Sequence, residues 1–403
     1  MRVLYLCYLS VLEALTESQV IRYLTLLARR GVEVHLLTFE PNHQGNREAI
    51  AARGAVLRAV GIRLHTLPYH KRPSLPATGY DVLRGVLRGW RLVRAHKIQV
   101  VHARSHVPAA MAVALKALSG VRIVFDIRGL MAEQYVDAGI WRPGGINFRL
   151  TKWMERRSVR EADAIVTLTE QTRELLTKDS AGYRIPWQVI PTCVDLERFK
   201  PDPGWREKIR FRLGFGNRPI FVYAGTLGRR YEADSMLDFW EEARGIMPDL
   251  CFLVLTGDDH AEIRTRFTGR GLPTAMYRIL RVPHPEVPQY LAAADFSIVL
   301  AKPCASLLAL CPTKIGEYLA CGLPVVVSTG IGDTDRLSAE GVAAFVPALT
   351  AEHYRAAARW MSAVAGRPDT RERCRQVAKR YFDLKAVGGE RYWALYRALA
   401  ARG

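Results

Sequence analysis

At 403 residues the chain is long enough for two domains, each with its own core, and its apolar fraction of 49% is that of an ordinary globular protein. No run approaches the roughly eighteen apolar residues of a membrane span. The seven cysteines lack paired spacing, which predicts reduced thiols of a cytosolic chain and argues against a disulfide framework or a zinc site.

The net charge of +19 is unevenly spread. Residues 47–104 carry twelve Lys and Arg against Glu48 and Asp81, a local charge of +10. Such a field attracts a polyanion, either a nucleic acid or an anionic membrane leaflet. No aromatic-interleaved basic strand or recognition motif accompanies it, so nucleic acid is not the expected partner.

Residues 2–9 are predicted as a strand, not a signal peptide, because Glu13 and Glu17 follow without a small-residue cleavage site. A helix over 18–30, closed by Gly31, leads to a strand over 32–39. Strand, helix and strand at this spacing form a βαβ unit and imply a parallel sheet with helices on both faces. The loop 10–17 lies at the carboxyl end of the first strand, where such sheets bind ligands. It has no Gly-x-Gly, which excludes a dinucleotide fingerprint, and offers Ser10, Thr16 and Glu17 instead.

A helix is predicted over 80–97. Arg84, Arg88 and Arg91 recur along it, with Arg94 and Lys97 continuing the stripe, while Val86, Trp90 and Val93 fill other faces. It reads either as a surface helix docked on the sheet by its apolar side or as one lying with its arginines against anionic lipid, and the two are compatible. Strands follow over 98–102 and 121–125. The second delivers Asp126 and Arg128 to the sheet edge. Desolvating both is costly unless they pair with each other or meet a ligand. A helix over 146–161 and strands over 164–168 and 188–191 complete this half. Pro201, Pro203 and Gly204 then break the pattern, which puts the domain boundary near 195.

A second βαβ series starts with a strand over 220–224, whose turn contains Gly225, Thr226, Gly228, Arg229 and Arg230. The glycines let the backbone approach a phosphate, and one of the arginines neutralises it. The alternative is a solvated arginine pair. Asp258 and Asp259, ending the strand over 250–256, and the later Asp333 and Asp335 suit helix caps better than metal ligands. Val282 leads into Pro283-His284-Pro285, and Lys302 and Ser306 follow the strand that ends at 300.

The chain centres on residues 311–328. Pro312 suits a first helical position, Gly322 a left-handed terminator, and Val325-Val326-Val327 a buried parallel strand. The amides of Thr313 and Lys314 at the helix start make an anion site, and Lys314 adds a full charge. Glu317, one turn later, can reach hydroxyls beside it. An anion site and a diol-binding carboxylate together describe a nucleoside diphosphate and its ribose. The last helix, over 384–400, carries Tyr392, Trp393 and Tyr396, which suit docking on the first domain.

The run Pro312-Thr313-Lys314-Ile315-Gly316-Glu317-Tyr318-Leu319-Ala320-Cys321-Gly322-Leu323-Pro324 resembles the donor-site signature of retaining GT-B glycosyltransferases of the family-4 type. Glu317 matches the second Glu of that family's E-x7-E motif; the first would fall on Ala309. Phe125-Asp126-Ile127-Arg128-Gly129, with Glu133, Lys152 and Glu155, is similar to a branch acting in surface-polysaccharide assembly. The resemblance implies two doubly wound Rossmann-like domains facing a cleft. An acceptor-side domain over 1–195 would be completed by the helix 384–403, and 196–383 would bind the nucleotide sugar. It implies donor contacts from Gly225, Thr226, Arg229, Arg230, Val282, Lys302, Ser306, Thr313 and Glu317. Lys314 would stabilise the leaving diphosphate, and Asp126 and Arg128 would face sugar and acceptor. No metal or other cofactor is expected. The acceptor would be a glycan, lipid-linked in this branch, and the enzyme would sit on the cytoplasmic face of the inner membrane through 47–104. The rival expectation is a non-catalytic binder of a nucleotide or polyanion on the same fold.

Overall fold

The computed structural model describes residues 1–178, 185–228, 231 and 233–401. The chain divides into two compact units: Met1–Pro191 together with the segment from Lys385 on, and Thr192–Leu384.

The first unit is built on β1 (Arg2–Cys7), β2 (Glu33–Glu40), β3 (Ile62–Pro68), β4 (Val100–Arg104), β5 (Arg122–Ile127), β6 (Ala164–Thr167) and β7 (Trp187–Val189), in the order β3-β2-β1-β4-β5-β6-β7. The second is built on β8 (Ile220–Ala224), β9 (Cys251–Leu255), β10 (Tyr277–Leu280), β11 (Phe296–Val299), β12 (Val325–Ser328) and β13 (Ala343–Val346), in the order β10-β9-β8-β11-β12-β13. Every strand pair is parallel. Strand order therefore reverses between β1 and β4 and between β8 and β11. Ligands of such sheets bind outside the carboxyl ends of the strands at these points.

The first helix is not one regular element. Ala14–Thr16 and Arg22–Ala28 are α-helical, and Glu17–Ile21 between them is a π turn. The 3.6-residue reading of 18–30 did not show the widened turn. The helix Ser74–His96 begins six residues before the predicted start at 80. Pro76 lies in its first turn, where a missing N–H loses no hydrogen bond. Gly85 and Gly89 let this helix press on His106–Ser119: a Cβ at those positions would lie 2.6 Å from Met111 Sδ and 2.9 Å from Leu115 Cδ1. Asp81, fully buried on the same helix, accepts from Tyr8 Oη at 2.7 Å and from the His70 amide at 3.0 Å, and lies 2.6 Å from His70 Nδ1. One carboxylate thus ties the basic helix to the ends of β1 and β3.

The helix Glu390–Ala400 packs on the first sheet, burying Tyr392 and Tyr396. The chain changes units four residues before the predicted 195. Thr192 Oγ1 donates to the Cys311 carbonyl at 2.7 Å, and Val194 exchanges backbone hydrogen bonds with Phe382 and Leu384 at 2.7 and 3.0 Å. These residues therefore belong to the second unit. There Asp295 receives Arg206 at 2.6 Å, Arg210 at 2.5 Å and the Ile220 amide at 2.8 Å. This anchors the helix Pro203–Leu213 to β8.

Three histidines meet in the first unit. His35 is fully buried, its Nδ1 lies 3.1 Å from His65 Nε2, and its ring centre is 4.3 Å from that of His96. Burial, then His35, Arg88, His96 and Arg63, push His65 down from 6.5 to about 4. The unfolded chain takes up this proton near 6.5, so stability is full above that pH and is lost as pH falls towards 4. Urea unfolding at pH 7 and 4.5 should show a loss of about 2–3 kcal/mol that His65→Asn removes. An equal loss in the variant would overturn the assignment.

Candidate functional site

In the second unit a cavity of about 240 Å³ lies at the carboxyl ends of β8 and β9. Gly225, Thr226, Thr256, Val282, His284 and Glu317 line it. The helix Thr313–Ala320 directs its start towards the same loop. Pro312 stands one position before that helix, at its N-cap with extended ψ of 121°, not at the first helical position. Gly322, with φ of +75°, ends the turn that follows.

Lys314 lies under the turn after β8. Its Nζ donates to Tyr223 Oη at 2.9 Å and stands 4.0 and 4.3 Å from the ring centres of Tyr223 and Tyr231. Gly225, with φ of +138°, is the residue above it: a Cβ there would lie 2.7 Å from Nζ. The glycine is required by its backbone conformation, and a larger residue would also have to push the flexible end of Lys314 aside. Loss of hydration on burial pushes Lys314 down to about 7, although Glu317 and Asp258 pull the other way. Two aromatic faces hold the cation electrostatically while leaving it able to meet an anion.

Glu317 is 8% exposed. His284 Nε2 is 3.7 Å from its Oε1, and His284 is held from behind by Arg198, which donates to Nδ1 at 3.1 Å and to the His284 carbonyl. The sequence analysis marked this run but gave the imidazole no role. The Pro-His-Pro run was the available signal. Asp258 fixes the turn: Leu227 N donates to it at 2.5 Å and Thr256 Oγ1 at 2.9 Å. Asp259 caps the helix His260–Gly269, accepting from Ala261 N at 2.9 Å. Among the described residues no group of three His, Cys, Asp or Glu side chains is placed to hold a metal ion.

The structure thus brings Gly225, Thr226, Val282 and Glu317 to one cavity, with Lys314 against Gly225. Thr313 begins the central helix. Lys302 is exposed beyond β11, and Ser306 is fully buried with Oγ 3.7 Å from Cys304 Sγ; neither lines the cavity. Ala309, where the motif would have Glu, is buried. Arg229 and Arg230 lie outside the described residues.

In the first unit the expected edge position of Asp126 is corrected. β5 runs two residues past the predicted end, so Asp126 lies within the strand opposite Arg104 and Val166. Its side chain is 1% exposed. Tyr392 Oη donates to it at 2.9 Å, and His102 Nε2 and Arg128 each approach to 3.5 Å. Burial would raise its carboxyl, but Arg128 and then His102 outweigh burial and hold it well below the usual carboxylate range. Arg128 has a side chain 6% exposed and shares Gln19 Oε1 with Arg104, at 3.3 and 2.8 Å. His102 Nδ1 meets Tyr396 Oη at 2.8 Å. Asp126 and Arg128 are therefore partners in an internal network that fastens the last helix and the π turn to the sheet. They do not line the described cavities.

Two family models match in tandem, Glycosyltransferase Family 4 over residues 16–198 and Glycosyl transferases group 1 over residues 206–381. The chain belongs to the family-4 glycosyltransferases, and its fold is GT-B. A GDP-mannose-dependent alpha-(1-6)-phosphatidylinositol monomannoside mannosyltransferase of Mycolicibacterium smegmatis is 28% identical over 249 residues, 60% of this chain and 61% of the relative. A UDP-Gal:alpha-D-GlcNAc-diphosphoundecaprenol alpha-1,3-galactosyltransferase of Escherichia coli is 24% identical over 61% of this chain and 62% of its own length. The chain thus spans about three fifths of these two curated relatives. The crystal structure of Anabaena HepE in complex with UDP and glucose superposes with a TM-score of 0.69 at 15% identity, over 98% of this chain and 99% of that one.

The Asp126 network makes a separable prediction. Asp126→Asn removes the charge that compensates Arg128 inside the sheet, and should cost the first domain roughly 3–5 kcal/mol. Thermal unfolding is the measurement. A variant of wild-type stability that has lost turnover would instead make Asp126 a reacting group.

Proposed function

We propose that this protein is a retaining, metal-independent glycosyltransferase. It moves a sugar from a nucleoside diphosphate donor to a lipid-linked glycan acceptor, in cell-surface polysaccharide or glycoconjugate assembly, at the cytoplasmic face of the inner membrane. The observation that carries the reading is the joint position of Lys314 and Glu317 on the first turns of one helix, with Gly225 of the turn after β8 against Lys314. A diphosphate needs a cation and unpaired amides, and its ribose needs an acceptor of two hydrogen bonds. The leaving diphosphate gains charge as the glycosidic bond breaks, so a cation beside it lowers the barrier more than it tightens binding. The two curated relatives support the acceptor class, since both names specify lipid acceptors and nucleotide-linked sugars.

Lys314 gives the reading a pH signature. An ammonium pushed down to about 7 is largely neutral at pH 8 and must take up a proton to meet a diphosphate. Affinity for UDP or GDP, whichever binds more tightly, should level off about one unit below pH 7 and fall by up to about tenfold per unit above it. Calorimetry at pH 8 in two buffers of different ionisation enthalpy should report proton uptake that Lys314→Met abolishes. Uptake that persists in the variant would remove Lys314 from the phosphate site. Donor turnover should also survive EDTA, because Lys314 and the helix start supply the positive charge. Loss on chelation, restored by Mg²⁺ or Mn²⁺, would reverse this.

The membrane reading rests on the helix Ser74–His96. Tyr80, Leu83 and Leu87 are 50%, 57% and 48% exposed among the exposed Arg88, Arg91 and Arg94. Not all of the basic excess is available. Arg104 is buried, and Arg53 and Arg63 pair with Glu17 and Glu33. Each cation engaged at an anionic surface is worth about 1 kcal/mol. Vesicles rich in anionic lipid should sediment the protein at low salt and release it at high salt. Reversing Arg88, Arg91 and Arg94 to Glu should abolish sedimentation. Equal binding to neutral vesicles would assign the basic face to another partner.

A further inference from the structure

Glu317 does not face the cavity of about 240 Å³ alone. His284 lines it too, with Nε2 3.7 Å from Glu317 Oε1. That is beyond a direct hydrogen bond but close enough for neighbouring hydroxyls to meet both groups. Each side chain stands on a constrained element. Glu317 is 8% exposed and lies one turn into the helix Thr313–Ala320. His284 sits between Pro283 and Pro285, in a turn closed by the Glu286 amide on the Pro283 carbonyl at 2.8 Å. The two prolines have fixed φ, so the turn has little freedom to re-aim the ring.

The imidazole is set from behind. One terminal nitrogen of Arg198 donates to His284 Nδ1 at 3.1 Å and also to the His284 carbonyl. A guanidinium has donors and no acceptor, so Nδ1 is the bare nitrogen of a neutral ring and Nε2 carries the proton. That N–H is the one beside Glu317. Arg198 is itself seated on the buried Phe199, with its guanidinium carbon 5.2 Å from the ring centre. The Arg198 and Phe199 amides both donate to the Asp195 carbonyl, at 3.2 and 2.9 Å. An arginine that only tethered the turn would need the carbonyl alone; the contact to Nδ1 selects the tautomer. The cavity then presents a carboxylate that accepts and, 3.7 Å from it, an N–H that donates. Adjacent hydroxyls suit such a pair, because each can donate to the carboxylate and accept from the N–H.

We infer that His284 makes this cavity selective for an intact ribose diol, with Nε2–H donating to one hydroxyl oxygen while Glu317 accepts from the diol, and that Arg198 is the positioning residue that keeps His284 in its donor tautomer. The inference rests on the donor reading proposed above and gives it a specificity. A nucleotide lacking one of the two hydroxyls leaves the carboxylate or the N–H without its partner.

The test titrates the full chain by calorimetry with whichever of UDP and GDP binds more tightly, and with its 2′-deoxy and 3′-deoxy forms. The wild type should prefer the ribonucleotide about tenfold or more over at least one of them. His284→Phe should shrink that preference about threefold or more while leaving the affinity for the deoxy form in place. His284→Gln, whose amide keeps an N–H at similar reach, should restore part of it. Arg198→Gln should shrink the preference too, but no further when His284 is already replaced by Phe, because Arg198 acts through the ring. In ¹⁵N-histidine spectra the resonances that His284→Phe removes should report the Nε2–H tautomer, and Arg198→Gln should mix in the other. Folding is checked by circular dichroism. A preference unchanged in folded His284→Phe overturns the inference, as do Arg198 and His284 effects that add. Lys314→Met reads the donor site separately and should weaken ribo and deoxy forms alike. Failure of every nucleotide to bind overturns the donor reading and this inference with it. Binding that depends on Lys314, with a preference that His284 does not set, overturns this inference and leaves the donor reading standing.

Discussion

A parallel sheet covered on both faces has no room for an uncompensated charge, and this chain places several carboxylates in or beside two such sheets. Each is held by donors from more than one element. Asp81 gathers Tyr8 and His70; Glu40 gathers Ser10, Thr38 and the Val11 amide. Asp126 gathers Tyr392, His102 and Arg128, and Asp295 gathers Arg206, Arg210, Arg371 and the Ile220 amide. Removing one partner would leave a buried charge exposed to the full desolvation cost. These clusters therefore fix where loops and helix ends stand, and the site geometry follows from them. Part of the arginine surplus of a +19 chain is spent inside, as counter-charge.

Against that background the exceptions stand out. Lys314 is a half-buried cation that rests on two aromatic rings, with no carboxylate paired to it among the described residues. His106 is a buried imidazole with one nitrogen satisfied and one not. Both lie at the carboxyl edge of their own sheet, near the point where strand order reverses. Other buried polar atoms, among them Arg104 Nε, Arg128 Nε and Arg210 Nε, likewise lack a hydrogen-bond partner, so what sets Lys314 and His106 apart is their place beside the two cavities, of about 240 and 610 Å³.

Much of this was legible. The apolar strands and the glycine punctuation marked the inner strands of both sheets, because a strand buried on both faces has little choice of residues, while the edge strands β3, β10 and β13 were not marked. The central stretch was readable because Gly322, Pro324 and the Val325-Val326-Val327 run each carry a backbone constraint. Asp126 was misplaced for an equally physical reason. An Asp after an apolar run signals a strand end, and only the partners Tyr392 and His102, 266 and 24 residues away, make it an interior residue. The same holds for His106, whose meaning depends on Glu155, 49 residues on. The π turn at Glu17–Ile21 has no periodic signature, yet it carries Gln19, which Arg104 and Arg128 share. Long-range polar pairing, not the apolar pattern, is what a single sequence conceals.

The helix Ser74–His96 joins two features of the first domain, its basic surface and its cavity of about 610 Å³. Its first turns contribute Leu75 and Thr78 to the large cavity, and its later turns present Arg88, Arg91 and Arg94 to solvent. Asp81 stands between these parts and locks the helix to β1 and β3. Gly85 and Gly89 press it against the next helix, which begins at His106. A surface that bound the arginines would therefore meet a rigid rod whose other end forms the cavity mouth, with half-exposed apolar residues along it. The carboxylate that fixes this one helix therefore sets both the basic surface and one wall of the cavity.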